Sequence, residues 1–261
     1  MLGVFDSGLG GLTVVRQLQR RLPKHDILYL ADQAHVPYGD RSPEDLQQYL
    51  HENIGYLNER SATPIVVACN TSCAVAMERG WPQSDAPILN LIQNAAEAVA
   101  ALGARRIGVI ATTVTAKSGA YGRALRERIH GAHVDEVPAP ALVPLVEAGR
   151  YNGRAVRAAV EEACAPFPRD LEVVIYGCTH YPILDAHFAA VLGPEVVRLD
   201  PAIAQADATV RFVEDNRIAG ASGATHYVTT GDRLAFTASV RALLGEEDPV
   251  VIAGRESAIS T

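Results

Sequence analysis

The chain has 261 residues, of which 48% are hydrophobic and 20% charged; this describes a globular protein and points to two domains rather than one. A net charge of −7 and a pI near 5.6 exclude the broad basic field that nucleic acid or an anionic membrane surface requires. No apolar run approaches the roughly 20 residues of a membrane span, and no basic-then-apolar leader precedes the first strand-like run, so a cytoplasmic location is expected.

Short β-branched runs bounded by Gly, Pro or Asp alternate with helical patterns, the signature of βα units and a mainly parallel sheet. Strands are expected near 2–5, 27–31, 64–69, 87–92, 106–111, 133–137, 173–177, 195–199, 225–229 and 249–253. Helices fall between them, at 42–58, 71–79, 93–102, 117–130, 154–164, 201–216 and 233–243 among others. Landmarks recur at a nearly constant offset. Gly3-Val4-Phe5-Asp6-Ser7 returns 105 positions later (3 to 108) as Gly108-Val109-Ile110-Ala111-Thr112, and Val36-Pro37 returns after 107 (36 to 143) as Val143-Pro144. Cys69, ending one apolar run, is matched after 109 positions (69 to 178) by Cys178, ending another. The expected fold is therefore α/β: two similar, mainly parallel α/β domains related by a pseudo-two-fold axis, with the active site in the cleft between them. The boundaries read as 1–92 plus 204–261 for the first domain and 93–203 for the second. With no flexible linker between them, the halves should pack closely.

In open α/β sheets, ligands lie beyond the carboxyl ends of the strands. Asp6 and Ser7, Asp32 with Pro37-Tyr38-Gly39, Cys69-Asn70-Thr71, Thr112 with Thr115, and Cys178-Thr179-His180 all follow strand-like runs. Two thiols facing each other across the cleft suit moving a proton on and off a carbon from two faces. Each precedes an expected helix start, where free N–H groups and the helix dipole should lower the thiol pKa from about 8.5. Neither Cys69 nor Cys178 has a Lys or Arg beside it in sequence, so one thiolate as base and one thiol as acid is the expected state. Assisting groups are expected too: Asp6 near Cys69, His180 near Cys178, and Glu147 to orient His180. Donors from Ser7, Asn70, Thr71, Thr112, Thr115 and Thr179, with backbone N–H groups at Gly39, would hold carboxylates without basic side chains, and Asp6 would face an ammonium.

Competing readings are weaker. Cys73 and Cys164 read as small buried hydrophobes. Cys69, Cys178 and His180 as zinc ligands lack any tight Cys-x-x-Cys or His-x-x-x-His pair, so no metal is expected. The glycines of Asp6-Ser7-Gly8-Leu9-Gly10-Gly11 invite a dinucleotide, but Thr13 stands where a third glycine would fall. His25, His35, His51, His130, His133, His187 and His226 read as surface or packing residues.

Taken together, the segments Gly3 to Gly8 with Gly10 to Thr13, Val36 to Gly39, Ala68 to Thr71, Ala111-Thr112 to Ser118-Gly119, Leu142 to Glu147 and Gly177 to Pro182 resemble glutamate racemases of the aspartate/glutamate racemase superfamily, with a fainter likeness at Val228 to Asp232. The resemblance implies cofactor-independent interconversion of L- and D-glutamate, supplying D-glutamate for the peptidoglycan of the cell wall. By it, Cys69 is similar to the base acting on D-glutamate and Cys178 to the base acting on L-glutamate, with Asp6, Glu147 and His180 at assisting positions. It also implies substrate binding by Asp6, Ser7, Pro37, Tyr38, Gly39, Asn70, Thr71, Thr112, Thr115, Thr179 and His180, and a homodimer. The chain departs from the pattern at Gln93-Asn94, where Pro-Gly is common, and at Val114, where Gly is frequent. A racemase of aspartate or another acidic substrate, and a non-catalytic amino-acid-binding protein, are the rival readings.

Overall fold

The structure is a computed structural model and describes residues 1–254. Its strands are β1 (Leu2–Asp6), β2 (Ile27–Ala31), β3 (Ile65–Val67), β4 (Ile88–Asn90), β5 (Arg106–Ala111), β6 (His133–Pro138), β7 (Val173–Gly177), β8 (Val197–Leu199), β9 (Thr225–Thr229) and β10 (Val250–Ala253). The helices between them are α1 (Leu12–Arg21), α2 (Pro43–Glu59), α3 (Asn70–Arg79), α4 (Leu91–Leu102), α5 (Thr113–Ser118), α6 (Ala120–Arg128), α7 (Leu142–Glu147), α8 (Arg154–Cys164), α9 (Asp185–Leu192), α10 (Pro201–Asp215) and α11 (Arg233–Leu244). Every strand pair is parallel. The continuous apolar runs of β1, β2, β3 and β7 are buried along their whole length, as parallel strands covered by helices on both faces must be.

Two sheets form, ordered β10-β9-β2-β1-β3-β4 and β6-β5-β7-β8. The run β2-β1-β3-β4 in the first is reproduced strand for strand by the second, so the repeated landmarks of the sequence occupy equivalent places in two domains. The expected α/β class and its two parallel domains are what the structure contains. Two large apolar clusters hold the halves together, and neither is confined to one sheet. One joins Leu2, Val4 and Leu12 to Leu142, Val174 and Tyr176; the other joins Phe5 and Val67 to Ile107, Val109 and Ile175. Each fully buried side chain of this size contributes about 1.5–3 kcal/mol.

Among the boundaries that differ from the sequence expectation, three have a clear local reason. The strand expected over 64–69 ends at Val67, because the Cys69 sulfur already caps α3 by accepting from Ser72 N at 3.5 Å. The helix expected from 93 starts at Leu91, capped by Asn90 Oδ1, which accepts from Ile92 N at 2.9 Å and Gln93 N at 3.4 Å. The helix expected over 117–130 is broken into α5 and α6 at Gly119, whose φ of 65° is a left-handed conformation that ends one helix and redirects the chain into the next.

Candidate active site

Segments that follow β1, β2, β3, β5, β6 and β7 converge on one cavity between the two sheets. Asp6 closes β1, whose neighbour β3 leads to Cys69. Thr112 follows β5, whose neighbour β7 leads to Cys178. The two sulfurs thus stand at equivalent positions of the duplicated unit and line the same space. The base of the cavity is closed by the β1–α1 loop lying against Thr179-His180. A Cβ on Gly10 would sit 2.5 Å from Thr179 Oγ1 and 2.6 Å from His180 Nδ1, so glycine there permits close approach of the two domains.

Cys69 is buried, with Ser7 and Asp6 for neighbours. Its sulfur lies 4.0 Å from Ser7 Oγ. Burial pushes the Cys69 thiol pKa far up, and the negative charge of Asp6 pushes it further. The sequence expectation that the start of a helix would lower this thiol's pKa is therefore overturned: desolvation outweighs the hydrogen bond from Ser72. Asp6 itself is fully buried. Its Oδ2 accepts from Gly11 N at 2.7 Å and Gly8 N at 3.4 Å, and Thr179 Oγ1 donates to it at 3.3 Å. Burial nonetheless holds the Asp6 carboxyl above its ordinary range, against the lowering effects of His180 and the Gly11, Gly8 and Ser7 amides.

Cys178 has a different neighbour. Its sulfur is 3.5 Å from His180 Nδ1, and His180 Nε2 is 2.6 Å from Glu147 Oε1. Burial disfavours charge on His180, but the Cys178 sulfur and Glu147 outweigh it and raise the imidazole pKa well above its usual value. Burial likewise works against ionised Glu147, yet His180 and the Leu9 amide lower its pKa, Leu9 N donating to Oε1 at 3.3 Å. No α-helix begins at Cys178: a 3-10 turn, Tyr181–Leu184, follows before α9. The expected helix start is thus found at Cys69, which caps α3, and not at Cys178.

Ser7, Pro37, Tyr38, Gly39, Asn70, Thr71, Thr112 and Thr179 join Asp6, His180 and the two cysteines on the lining. Two residues named from the sequence do not reach it. Glu147 stands behind His180, and Thr115 is fully buried in a ring of hydroxyls, 3.0 Å from Thr112 Oγ1 and 3.3 Å from Thr71 Oγ1, with Thr71 and Thr112 2.9 Å apart. Thr115 therefore supports lining residues from behind. Asp40, Thr113, Pro140 and Val143 also line the cavity and went unnamed as site residues; three adjoin or belong to motifs already singled out, and only Pro140 carries no sequence signal. Among the described residues, no Lys or Arg is on the lining. Among the described residues, no group of three or more His, Cys, Asp or Glu side chains is arranged to hold a metal ion.

The two departures from the family pattern have structural outcomes. Asn94 Nδ2 donates to Gln205 Oε1 at 2.6 Å, and Gln205 Nε2 donates to Val67 O at 3.1 Å and Leu89 O at 2.8 Å. This ties α4 and α10, the two segments by which the chain enters and leaves the second sheet, to the strand that leads to Cys69. Val114 packs, half-buried, against the second apolar cluster.

Residues 12–210 match the family model described as Asp/Glu/Hydantoin racemase. The chain is 42% identical over 267 aligned residues to the glutamate racemase of Desulforudis audaxviator, covering 95% of this chain and 96% of that protein. It superposes on a glutamate racemase isoform from Bacillus anthracis with a TM-score of 0.92 at 31% identity, over 97% of each chain. A glutamate racemase from Francisella tularensis, solved in complex with D-glutamate, gives 0.87 at 27% identity over 98% of each.

Proposed function

The chain belongs to the Asp/Glu/Hydantoin racemase family and is an isomerase of the glutamate racemase type; from this we propose that it interconverts L- and D-glutamate by passing the Cα proton between Cys69 and Cys178, without a cofactor. The observation that carries this reading is the placement of two sulfurs, from equivalent strand ends of two domains, on one cavity. In one direction the Cys178 sulfur takes the Cα proton of L-glutamate, the C–H bond breaking as S–H forms, and the Cys69 thiol delivers its own proton to the opposite face. The reverse reaction uses the same groups with their protonation states exchanged. His180, held by Glu147, stabilises negative charge on the Cys178 sulfur. Asp6, with its elevated pKa, is placed to take up the proton that Cys69 must give up before it acts as base.

A dianionic substrate would be held by dipoles. Ser7, Asn70, Thr71, Thr112 and Thr179 and the backbone around Tyr38-Gly39 offer donors to its carboxylates, and Asp6 faces its ammonium. Donors aimed at the α-carboxylate strengthen as Cα becomes carbanionic. Supply of D-glutamate for peptidoglycan, a cytoplasmic location and a homodimer complete the reading; no described helix is long and apolar enough to cross a membrane.

The test is circular dichroism of enantiopure glutamate with the purified protein, run beside aspartate. Loss of the glutamate signal with aspartate untouched supports the proposal. Loss with aspartate alone transfers the activity to the shorter acid, and binding without loss leaves an amino-acid-binding protein.

A further inference from the structure

Asn70, the first residue of α3 and part of the cavity lining, has a side chain that is only half engaged. Its Oδ1 accepts a hydrogen bond from Tyr121 Oη at 2.6 Å. Its Nδ2 is buried and meets no acceptor among the described residues, in a class of group that folded proteins rarely leave unpaired. Tyr121 belongs to α6, in the other domain, and is fully buried. Burial raises its phenol pKa well above the usual value, so the hydroxyl keeps its proton and acts as a donor.

A side-chain amide is nearly symmetric in shape and opposite in polarity at its two ends. Rotated by half a turn, Asn70 would place its carbonyl oxygen where Nδ2 now stands, and an acceptor there would repel a carboxylate. A protonated phenol needs an acceptor, and Asn70 can satisfy it only by turning the oxygen toward α6 and the N–H groups away. We propose that Tyr121 is a positioning residue which fixes the polarity of the Asn70 amide across the domain boundary, so that the cavity offers a donor to a substrate carboxylate. This rests on the reading of the cavity as a glutamate site, and it adds a residue that touches no substrate atom.

The test is a pair of variants read by calorimetric binding of D-glutamate. Tyr121→Phe keeps the ring and removes the hydroxyl; its Kd should rise about tenfold, with kcat changed less than about threefold. In an Asn70→Ala background the same change should alter Kd by less than about twofold, because Tyr121 then has nothing to orient. An equal loss in both backgrounds, or an unchanged Kd in Tyr121→Phe, overturns the proposal. Should Tyr121→Phe not accumulate as folded protein, the Asn70 side-chain amide resonances of the wild type, identified by their loss in Asn70→Ala, serve instead. They should shift on saturation with D-glutamate, and their failure to move overturns the assignment. A wild-type protein that binds glutamate without racemising it sinks the racemase reading and leaves the Tyr121 comparison standing; one that binds neither enantiomer overturns both.

Discussion

The two halves of the site share a scaffold and differ in chemistry. Cys69 and Cys178 follow the corresponding strands β3 and β7, but Cys69 is buried beside a carboxyl whose own pKa is raised, whereas Cys178 lies against an imidazole whose pKa is raised by the Cys178 sulfur and by Glu147. Duplication supplied the geometry; the neighbours one or two residues away, and one strand over, supplied the difference. The lesson concerns thiols at helix starts. A helix N-terminus offers the Cys69 sulfur one long hydrogen bond from Ser72, and complete desolvation next to Asp6 overrides it. Burial and the neighbouring Asp6 both favour the Cys69 thiol over its thiolate.

The comparison breaks most sharply if either sulfur proves dispensable. Cys69→Ser and Cys178→Ser should each lower turnover by about a thousandfold or more, with circular dichroism of the backbone unchanged; normal turnover in either would leave only one thiol in the reaction. Next come the assisting groups. Asp6→Asn and His180→Asn should each cost about a hundredfold. Because the enzyme cannot alter the equilibrium between enantiomers, kcat/KM must fall equally in both directions. What separates the halves is the pH profile of kcat, which His180→Asn should displace more in the direction where Cys178 is the base.

The buried pair His180–Glu147 also carries stability with a definite pH window. The folded pKa of His180 is raised, so its contribution is complete below about pH 6.5 and is lost as pH climbs through the folded value; that of Glu147 is lowered, so its share is present above about pH 4.3 and fades as pH falls through the folded value. Glu147→Gln should therefore lower Tm by about 3 °C or more near pH 5.5, with the gap narrowing toward alkaline pH. A gap independent of pH would make the pair a packing contact. The smallest effect has the opposite sign. A carboxyl whose folded pKa is raised costs stability once pH exceeds its unfolded value of about 3.9. Asp6→Asn should accordingly raise Tm at neutral pH by about a degree or two while abolishing most turnover, a trade that Glu147→Gln should not show.

Much of this was legible before the fold. The recurring Gly3 and Gly108, Pro37 and Pro144, and Cys69 and Cys178 located the duplicated unit, because a repeated strand and its loop leave the same local pattern of β-branched, Gly and polar residues. The site residues owed more to resemblance than to pattern. Periodicity could not say that Thr115 would turn inward to a hydroxyl ring while Thr112 faced the cavity, since both follow one strand. The partners that decide behaviour lie far apart in the chain: Tyr121 is 51 positions from Asn70 and Gln205 is 111 from Asn94, separations no local rule spans. Burial, which reversed the expectation for the Cys69 thiol, is likewise a property of the assembled domains.

The central claim is that two sulfurs reach one carbon from opposite faces. Its most direct test is a single turnover of protiated L-glutamate in deuterated solvent, with the isotope at Cα read separately in product and in unreacted substrate. Two opposed acids and bases give D-glutamate carrying solvent deuterium while the recovered L-glutamate keeps its hydrogen. D-glutamate that retains the substrate's own hydrogen would mean that one group had carried the proton around, and would contradict the account.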